Sequence, residues 1–354
     1  MGQKDSHDPR QMNRRGFLEV GVAAGAAALA SWALSGIAEK ARRKILPKAT
    51  LIIIGGSAEA GGRIPSVAGD WGITAEDLKN PAELRNILSP WKFNDFARAC
   101  DYAGVFADVK KYCPFKDKTV VCVTSASKEN AVEHAWLDQI FFRLMGAKDV
   151  VTIADRKEAN DKAIVKKLKE EACMVYFDGG AQEILQENFF NTDAYHAVHQ
   201  RYLTDSSFTV IGTSAGAAVM PGKGKMIKDW DKTKTEAIMG TGFNFLENII
   251  VDTHVHGGEK HLHENPNRLG RLQKAVDEHP GCIGIGLDER TGIVIQNGNA
   301  TVIGRQYVWK LDESTRGLTA KQLQEVPGLG EGKVIKLGEH AYITADNRPR
   351  SMAL

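Results

Sequence analysis

The sequence predicts an α/β fold with a mostly parallel sheet covered on both faces, and two observations carry that prediction. Short apolar runs rich in Val and Ile recur from Lys48 onward, without the polar alternation of a strand that has one wet face. Between them lie charged, amphipathic stretches long enough for helices, so successive strands are joined by right-handed crossovers that lay helices over the sheet. The bulk properties agree. The 354 residues carry 46 Lys+Arg against 44 Asp+Glu, and 43% are hydrophobic, which excludes intrinsic disorder, collagen and a polytopic membrane protein. A net charge of +2 creates no general field for nucleic acid or anionic lipid, so any recognition of charge is local.

Residues 1–38 read as a leader. Asn13-Arg14-Arg15-Gly16-Phe17-Leu18 precedes an uncharged run, Val20 to Ala38, made mainly of Ala, Gly, Leu, Val and Ser. This resembles a twin-arginine export signal, which implies the twin-arginine translocase as a partner during export and a periplasmic or extracellular location. A retained N-terminal anchor is the alternative, because the run approaches the roughly 20 residues that cross a bilayer. Residues 39–47 are a linker, and residues 48–354 are a single α/β domain. In an oxidising compartment Cys100 and Cys113 are close enough in sequence to pair. Cys122, Cys173 and Cys282 sit in apolar runs and read as buried core thiols. With five cysteines at least one stays free, and the lack of a CxxC argues against structural zinc.

The strands follow in order. Leu51 to Ile54, Val120 to Val123, Val150 to Ile153, Met174 to Phe177 and Phe208 to Ile211 are the parallel set. Asn160 to Ala172 is a helix with Ala163, Ile164, Leu168 and Ala172 on its inward face. Residues 57–118 separate the first two strands by more than one crossover needs and read as a helical insertion with aromatic packing by Trp71, Trp91 and Phe93. Its first helix starts at Asn80-Pro81-Ala82-Glu83, and a second runs from about Asn94 to Val109. Beyond residue 280 strands and turns take over, with Ile283 to Leu287, Gly292 to Gln296, Thr301 to Ile303 and Lys333 to Leu337 as strands.

Chemistry enters where the fifth strand meets Gly212-Thr213-Ser214-Ala215-Gly216. A G-x-S-x-G turn between strand and helix exposes a serine at a strained corner, with glycines where neighbouring backbone comes close. Ser214 is thus the candidate nucleophile, and the N–H of Ala215 a candidate oxyanion donor. Upstream, Tyr176-Phe177-Asp178-Gly179-Gly180-Ala181-Gln182 brings paired glycines to the same sheet edge, with Gly180 as the second donor and Gln182 as a substrate contact. A serine nucleophile needs a base, and His254 follows the apolar run before Asp252. The acid that orients it is Glu289 or Glu236.

Together these pieces resemble the cyanophycinase and aspartyl dipeptidase (peptidase E) family of serine peptidases. The matching blocks, in order, are Ile53-Ile54-Gly55-Gly56, Thr124-Ser125-Ala126-Ser127, Phe177 to Gln182, Gly212 to Ala217, Asp252-Thr253-His254, Arg268-Leu269-Gly270-Arg271-Leu272 and Gly284 to Glu289. The resemblance implies a three-layer sandwich like that of class I glutamine amidotransferases, a flavodoxin-like arrangement. It implies hydrolysis of aspartyl or isoaspartyl bonds in a peptide or polyaspartate-type substrate, in cyanophycinases with release of β-Asp-Arg dipeptides. Ser214, His254 and Glu289 form its triad, with Glu236 in reserve. Gln182, Asp252, Thr253, Arg268 and Arg271 line its substrate pocket, and no cofactor or metal is required. Some relatives form dimers, which leaves a homodimer open. Two departures stand out: Thr253 replaces the family's usual glutamine, and the link from Val255 to Asn267 is long and lacks one substrate-binding arginine.

That link also supports a rival class. Asp252-Thr253-His254-Val255-His256-Gly257 resembles the metal-binding D-x-H-x-H-G of amidohydrolases, and His261 and His263 add imidazoles. In that class the motif ends the first strand of a (β/α)8 barrel of about 250 residues, and too little chain follows His256 for one. A non-catalytic binding protein on the same scaffold is the third reading.

Overall fold

Neighbouring residues of each central strand go to different cores. Leu51, Ile53, Val121, Val175 and Val210 join one buried cluster, whereas Ile52, Ile54, Val120, Met174 and Ile211 join another. Side chains alternate across a pleated sheet, so a strand apolar at every position is one buried on both faces.

The computed structural model describes residues 44–56, 105–126, 131–230, 236–255, 268–318, 320–323, 325–341 and 343–344. Residues Ile45–Ile343 form one compact unit. The export signal, linker residues 39–43, the Asn80 helix, Cys100 and the insertion's three aromatic residues lie outside the described residues. Among the described residues no helix is long and apolar enough to cross a membrane.

Five strands are parallel: β1 (Thr50–Ile54), β2 (Thr119–Val123), β3 (Asp149–Ile153), β4 (Ala172–Phe177) and β5 (Thr209–Thr213). They lie in the order β1-β5-β4-β2-β3. From β2 to β5 this is the 2-1-3-4 order of a flavodoxin-like sheet, with β1 added beside β5. Helix α1 (Val105–Tyr112) and α2 (Ala131–Leu144) cover the second core, where Phe106, Phe141, Phe142 and Tyr176 pack edge to face. Helices α3 (Lys162–Glu170), α4 (Gln182–Phe189) and α5 (Asp193–Thr204) cover the first. The expected three-layer sandwich is therefore present.

The details correct three expectations. The helix expected to end at Val109 continues to Tyr112. Helix α3 begins at Lys162, because Asp161 caps it by accepting from the N–H groups of Ala163 and Ile164. Its buried residues are Val165 and Leu168, with Ala163 exposed and Ala172 already in β4. Cys113 is a free thiol whose Sγ–H donates to Met174 Sδ at 3.5 Å inside the core, and Cys173 is only half-buried; Cys122 and Cys282 are buried as expected.

A second structure is built beyond β5 and its short helix α6 (Ala215–Ala218). A hairpin, β6 (Met226–Trp230) with β7 (Ala237–Gly240), precedes β8 (Ile249–Asp252), α7 (Arg268–Glu278) and β9 (Ile283–Leu287). The chain then returns to the main sheet as β10 (Thr291–Gln296), antiparallel to β1, and β11 (Asn299–Gly304). Strand β12 (Val308–Leu311) pairs with β9, which is parallel to β8, giving a separate three-stranded sheet. Strand β13 (Val334–Lys336) closes the main sheet against β11. Val251 and Ile285 of the small sheet face the first core, while Ile250 packs with Leu269, Leu272 and Val276 of α7 in a third core.

Candidate active site

The site forms where the two sheets meet, and the end of β1 is the seam. Three successive carbonyls there each accept from a different turn: Ile54 from Ser214 N–H at 3.0 Å, Gly55 from His254 N–H at 2.9 Å and Gly56 from Arg290 N–H at 2.9 Å. The third turn carries Glu289, so one stretch of backbone registers all three predicted triad members.

Ser214 sits at the expected corner, with φ 50° and ψ −116°. An L-residue held there stores about 1–3 kcal/mol of strain, and close packing keeps it in place. A Cβ on Gly212 would lie 2.3 Å from Gly216 O, and one on Gly216 would lie 2.1 Å from Phe177 O. His254 is also held at positive φ, 53°. Its ring lies where a Cβ on Gly56 would meet Cε1 at 2.1 Å, so only glycine leaves room for the imidazole.

Ser214 Oγ lies 2.7 Å from His254 Nε2, and His254 Nδ1 lies 2.9 Å from Glu289 Oε1. A carboxylate only accepts, so Nδ1 carries the proton and Nε2 is the acceptor facing the hydroxyl. Glu289 is buried behind the ring. Glu236, the alternative orienter, is exposed just before β7, and the carboxylate on His254 Nδ1 belongs to Glu289.

In front of the serine is a cleft of about 290 Å³. Every sequence-predicted site residue lines it except Glu289 and Glu236. Of the two candidate oxyanion donors, neither Gly180 N–H nor Ala215 N–H has a main-chain acceptor among the described residues. Gln182 reaches the cleft, but its Nε2 donates to Ile227 O at 3.2 Å and Lys228 O at 2.8 Å, which fastens β6 to the cleft wall.

The far wall is ionic. Arg271 grips Asp252 with two hydrogen bonds, Nε to Oδ2 at 2.8 Å and Nη2 to Oδ1 at 2.6 Å, and both side chains are buried. Burial pulls the Arg271 guanidinium down, yet the Asp252 charge prevails and its pKa is raised. Arg268 is 3.5 Å from Asp252 Oδ1 and donates to Thr253 O at 2.8 Å. Burial holds its pKa below the usual range despite Asp252, and its Nε has no partner among the described residues. Asp229 of β6 stands 3.8 Å from Arg271 Nη1, so two carboxylates face the two guanidiniums, and Arg268 is the one held more loosely by Asp252.

The amidohydrolase reading fares differently. Asp252 spends both oxygens on Arg271, and His254 spends both nitrogens on Ser214 and Glu289. His256, His261 and His263 lie outside the described residues. Among the described residues no group of three His, Cys, Asp or Glu side chains is arranged to hold a metal ion.

A sequence profile described as peptidase family S51 matches residues 101–303. The chain belongs to peptidase family S51. Curated relatives include a cyanophycinase from Nostoc sp. (strain PCC 7120 / SAG 25.82 / UTEX 2576), 33% identical over 197 residues, or 54% of this chain and 63% of that protein. Another is a cyanophycinase from Geminocystis herdmanii (strain PCC 6308), 31% identical over 210 residues, or 57% of this chain and 72% of that protein. The S51 chain thus matches under two thirds of the length of the Nostoc relative. A crystal structure of a peptidase from an acI-B1 Actinobacterium aligns over 83% of this chain and 98% of its own, with TM-score 0.48 and 19% identity.

Sequence reading missed the hairpin. Ile227, Lys228 and Asp229 of β6 line the cleft, and the only signal was a short apolar run on each side of the polar residues 231–235. Lys228 also pairs with Glu183 of α4, so the hairpin is tied down by two successive residues, Gln182 and Glu183.

Proposed function

We propose that this S51 protein is a serine peptidase that cleaves aspartyl or isoaspartyl peptide bonds through an acyl-enzyme. The observation that carries the reading is the continuous relay Ser214–His254–Glu289, at 2.7 and 2.9 Å, opening on a cleft with two N–H donors left over. His254 Nε2 takes the proton as Ser214 Oγ attacks the scissile carbonyl, and Glu289 stabilises the imidazolium that forms. The tetrahedral oxyanion accepts from Gly180 and Ala215 N–H. His254 then protonates the leaving amine, and a water activated by the same imidazole hydrolyses the ester.

The Arg268 guanidinium lines the cleft and is held by Asp252 only at 3.5 Å, which favours a substrate carboxylate one side chain away from the scissile bond, the chemistry of an aspartyl residue. The cyanophycinase relatives support release of β-Asp-Arg dipeptides as one version of this specificity. Export by the twin-arginine pathway is part of the proposal and rests on Arg14 and Arg15; the Arg14→Lys, Arg15→Lys double variant is expected to stay in the cytoplasm.

A fluorophosphonate probe tests the chemistry. It is expected to label Ser214, with labelling and hydrolysis both lost in Ser214→Ala; labelling that persists in the variant, or activity abolished by chelators, sinks the reading. A panel of α-Asp, β-Asp and β-Asp-Arg peptides then assigns the bond.

A further inference from the structure

Behind the oxyanion turn lies a pair of side chains that the relay does not use. Asp178, the first residue after β4, is 2% exposed. Its Oδ2 lies 2.7 Å from Nδ1 of His134, on α2, and its Oδ1 accepts from Gly179 N–H at 2.6 Å. The carboxylate can only accept, so His134 Nδ1 is the donor. On the same helix, one turn along, Asp138 is also buried. Burial, with Asp138 and Asp178 close by, drives the Cys122 thiol well above its ordinary pKa.

The main-chain hydrogen bonds of the turn explain the arrangement. Asp178 N–H donates to Val123 O at 3.1 Å, and Ala181 N–H donates to Ala126 O at 2.9 Å. Gly179 N–H is occupied by the Asp178 side chain. Of four consecutive N–H groups, that of Gly180 alone has no acceptor among the described residues, and Gly180 lines the cleft. Gly180 is at φ +135°, where glycine has no side chain to hold the backbone, so the turn keeps its shape through these anchors. Two are set by the strand and the turn beside them. The third depends on the rotamer of Asp178, and His134 fixes that rotamer. Thr124 Oγ1 donates to Ala131 O at 3.0 Å, which ties the start of α2 to the end of β2 and carries His134 to its place.

We propose that His134, acting through Asp178, is a positioning residue for the oxyanion turn: it keeps Gly179 N–H occupied and Gly180 N–H available to the tetrahedral intermediate. The proposal rests on the serine peptidase reading above. A donor held in advance contributes only when the oxyanion forms, so its loss lowers kcat and leaves KM in place.

The test compares the full chain with His134→Ala and with His134→Asn, whose amide N–H stands where Nδ1 stood. Three quantities are read: kcat and KM on the best peptide of the panel, the second-order rate of fluorophosphonate reaction at Ser214, and amide exchange of Gly179. Removing an oxyanion donor outright costs about 10²–10³ in kcat, so misplacing one is expected to cost His134→Ala about 10–100-fold in kcat and in phosphonylation rate. KM is expected to stay within about two-fold, Gly179 exchange to quicken, and His134→Asn to recover most of the loss. Should Ala leave too little folded protein, His134→Phe fills the space without a donor and is judged by the same limits. Rates within two-fold of the parent overturn the proposal, as does a loss that falls on KM or that Asn does not repair. A parent protein inert to both peptide and fluorophosphonate overturns the peptidase reading and this role together, whereas an active parent with an unchanged variant overturns this role alone.

Discussion

The two sheets contribute to the site in different ways. The large sheet delivers Ser214 and the oxyanion turns from the ends of adjacent parallel strands, where Phe177 is in register with Gly212 and Ile54 with Thr213. These groups come to one edge because a parallel sheet brings all its strand ends there. The small sheet delivers His254, Glu289 and the ionic wall from β8, β9 and α7, whose own register, Asp252 beside Gly286, says nothing about where Ser214 lies. Backbone at Gly55 and Gly56 joins the two. On the proposed mechanism the large sheet therefore sets the reacting groups by topology, and the small sheet sets their activation by docking against a seam.

Within the small sheet two buried carboxylates divide the work, and exchanging each for its amide separates rate from stability. Glu289→Gln keeps the shape but can offer its NH2 to His254 Nδ1, which favours the wrong tautomer. A fall in kcat of about 10³–10⁴ is expected with an unchanged melting temperature; a loss under ten-fold would give the orienting role to another group, Glu236 first. Asp252→Asn removes the partner of buried Arg271. Breaking one side of such a pair costs about 3–5 kcal/mol, so a large drop in the urea midpoint is expected. Stability within about 1 kcal/mol of the parent would mean that the wall is solvated and its charges are screened.

The same division explains what could be read in the sequence. Buried parallel strands are continuous apolar runs, so β1 to β5 were legible within a residue or two, and the G-x-S-x-G corner is local chemistry that needs no tertiary knowledge. The choice between Glu289 and Glu236 was not legible, since both precede apolar segments and only docking of the small sheet places one carboxylate behind His254. Nor was the hairpin's share of the cleft, because Ile227 to Asp229 carry no motif and reach the site through Gln182. His134 was invisible for a related reason. A lone histidine on a helix gives no sign that a buried aspartate 44 residues on will meet it. Nor did spacing show that Cys113 turns into the core as a free thiol toward Met174.

The seam is probed by Gly56→Ala. The added Cβ would meet the His254 ring at 2.1 Å, at a φ of +121° that alanine adopts poorly. A displacement of about 1 Å at a catalytic group costs about 10²-fold, so kcat is expected to fall by roughly that factor, with a modest loss of melting temperature. Equal activity would mean that the histidine turn, and not the seam, sets the imidazole's place.

The smallest effect is expected at the turn where β12 leads into the short helical segment Glu313–Thr315. Asp312 accepts from Lys310 Nζ at 2.6 Å and from the N–H and Oγ–H of Ser314 at 2.9 and 2.6 Å. The Lys310 hydrogen bond, followed by those of Ser314, brings its pKa from 3.8 down to about 2. A carboxyl more acidic in the folded state stabilises that state at any pH above its unfolded value, and the contribution is lost as pH falls toward the folded value. Asp312→Asn is therefore expected to lower the urea midpoint slightly and evenly from pH 7 to about 5, with the gap closing as pH nears 2. The pair is partly exposed to solvent, which keeps the difference below about 1 kcal/mol. Peptide hydrolysis at pH 7 is expected to be unchanged, because nothing on this turn reaches the seam. A rate change there would mean that docking of the small sheet is felt along its whole length, which would remove the distinction between a site set by topology and one set by docking.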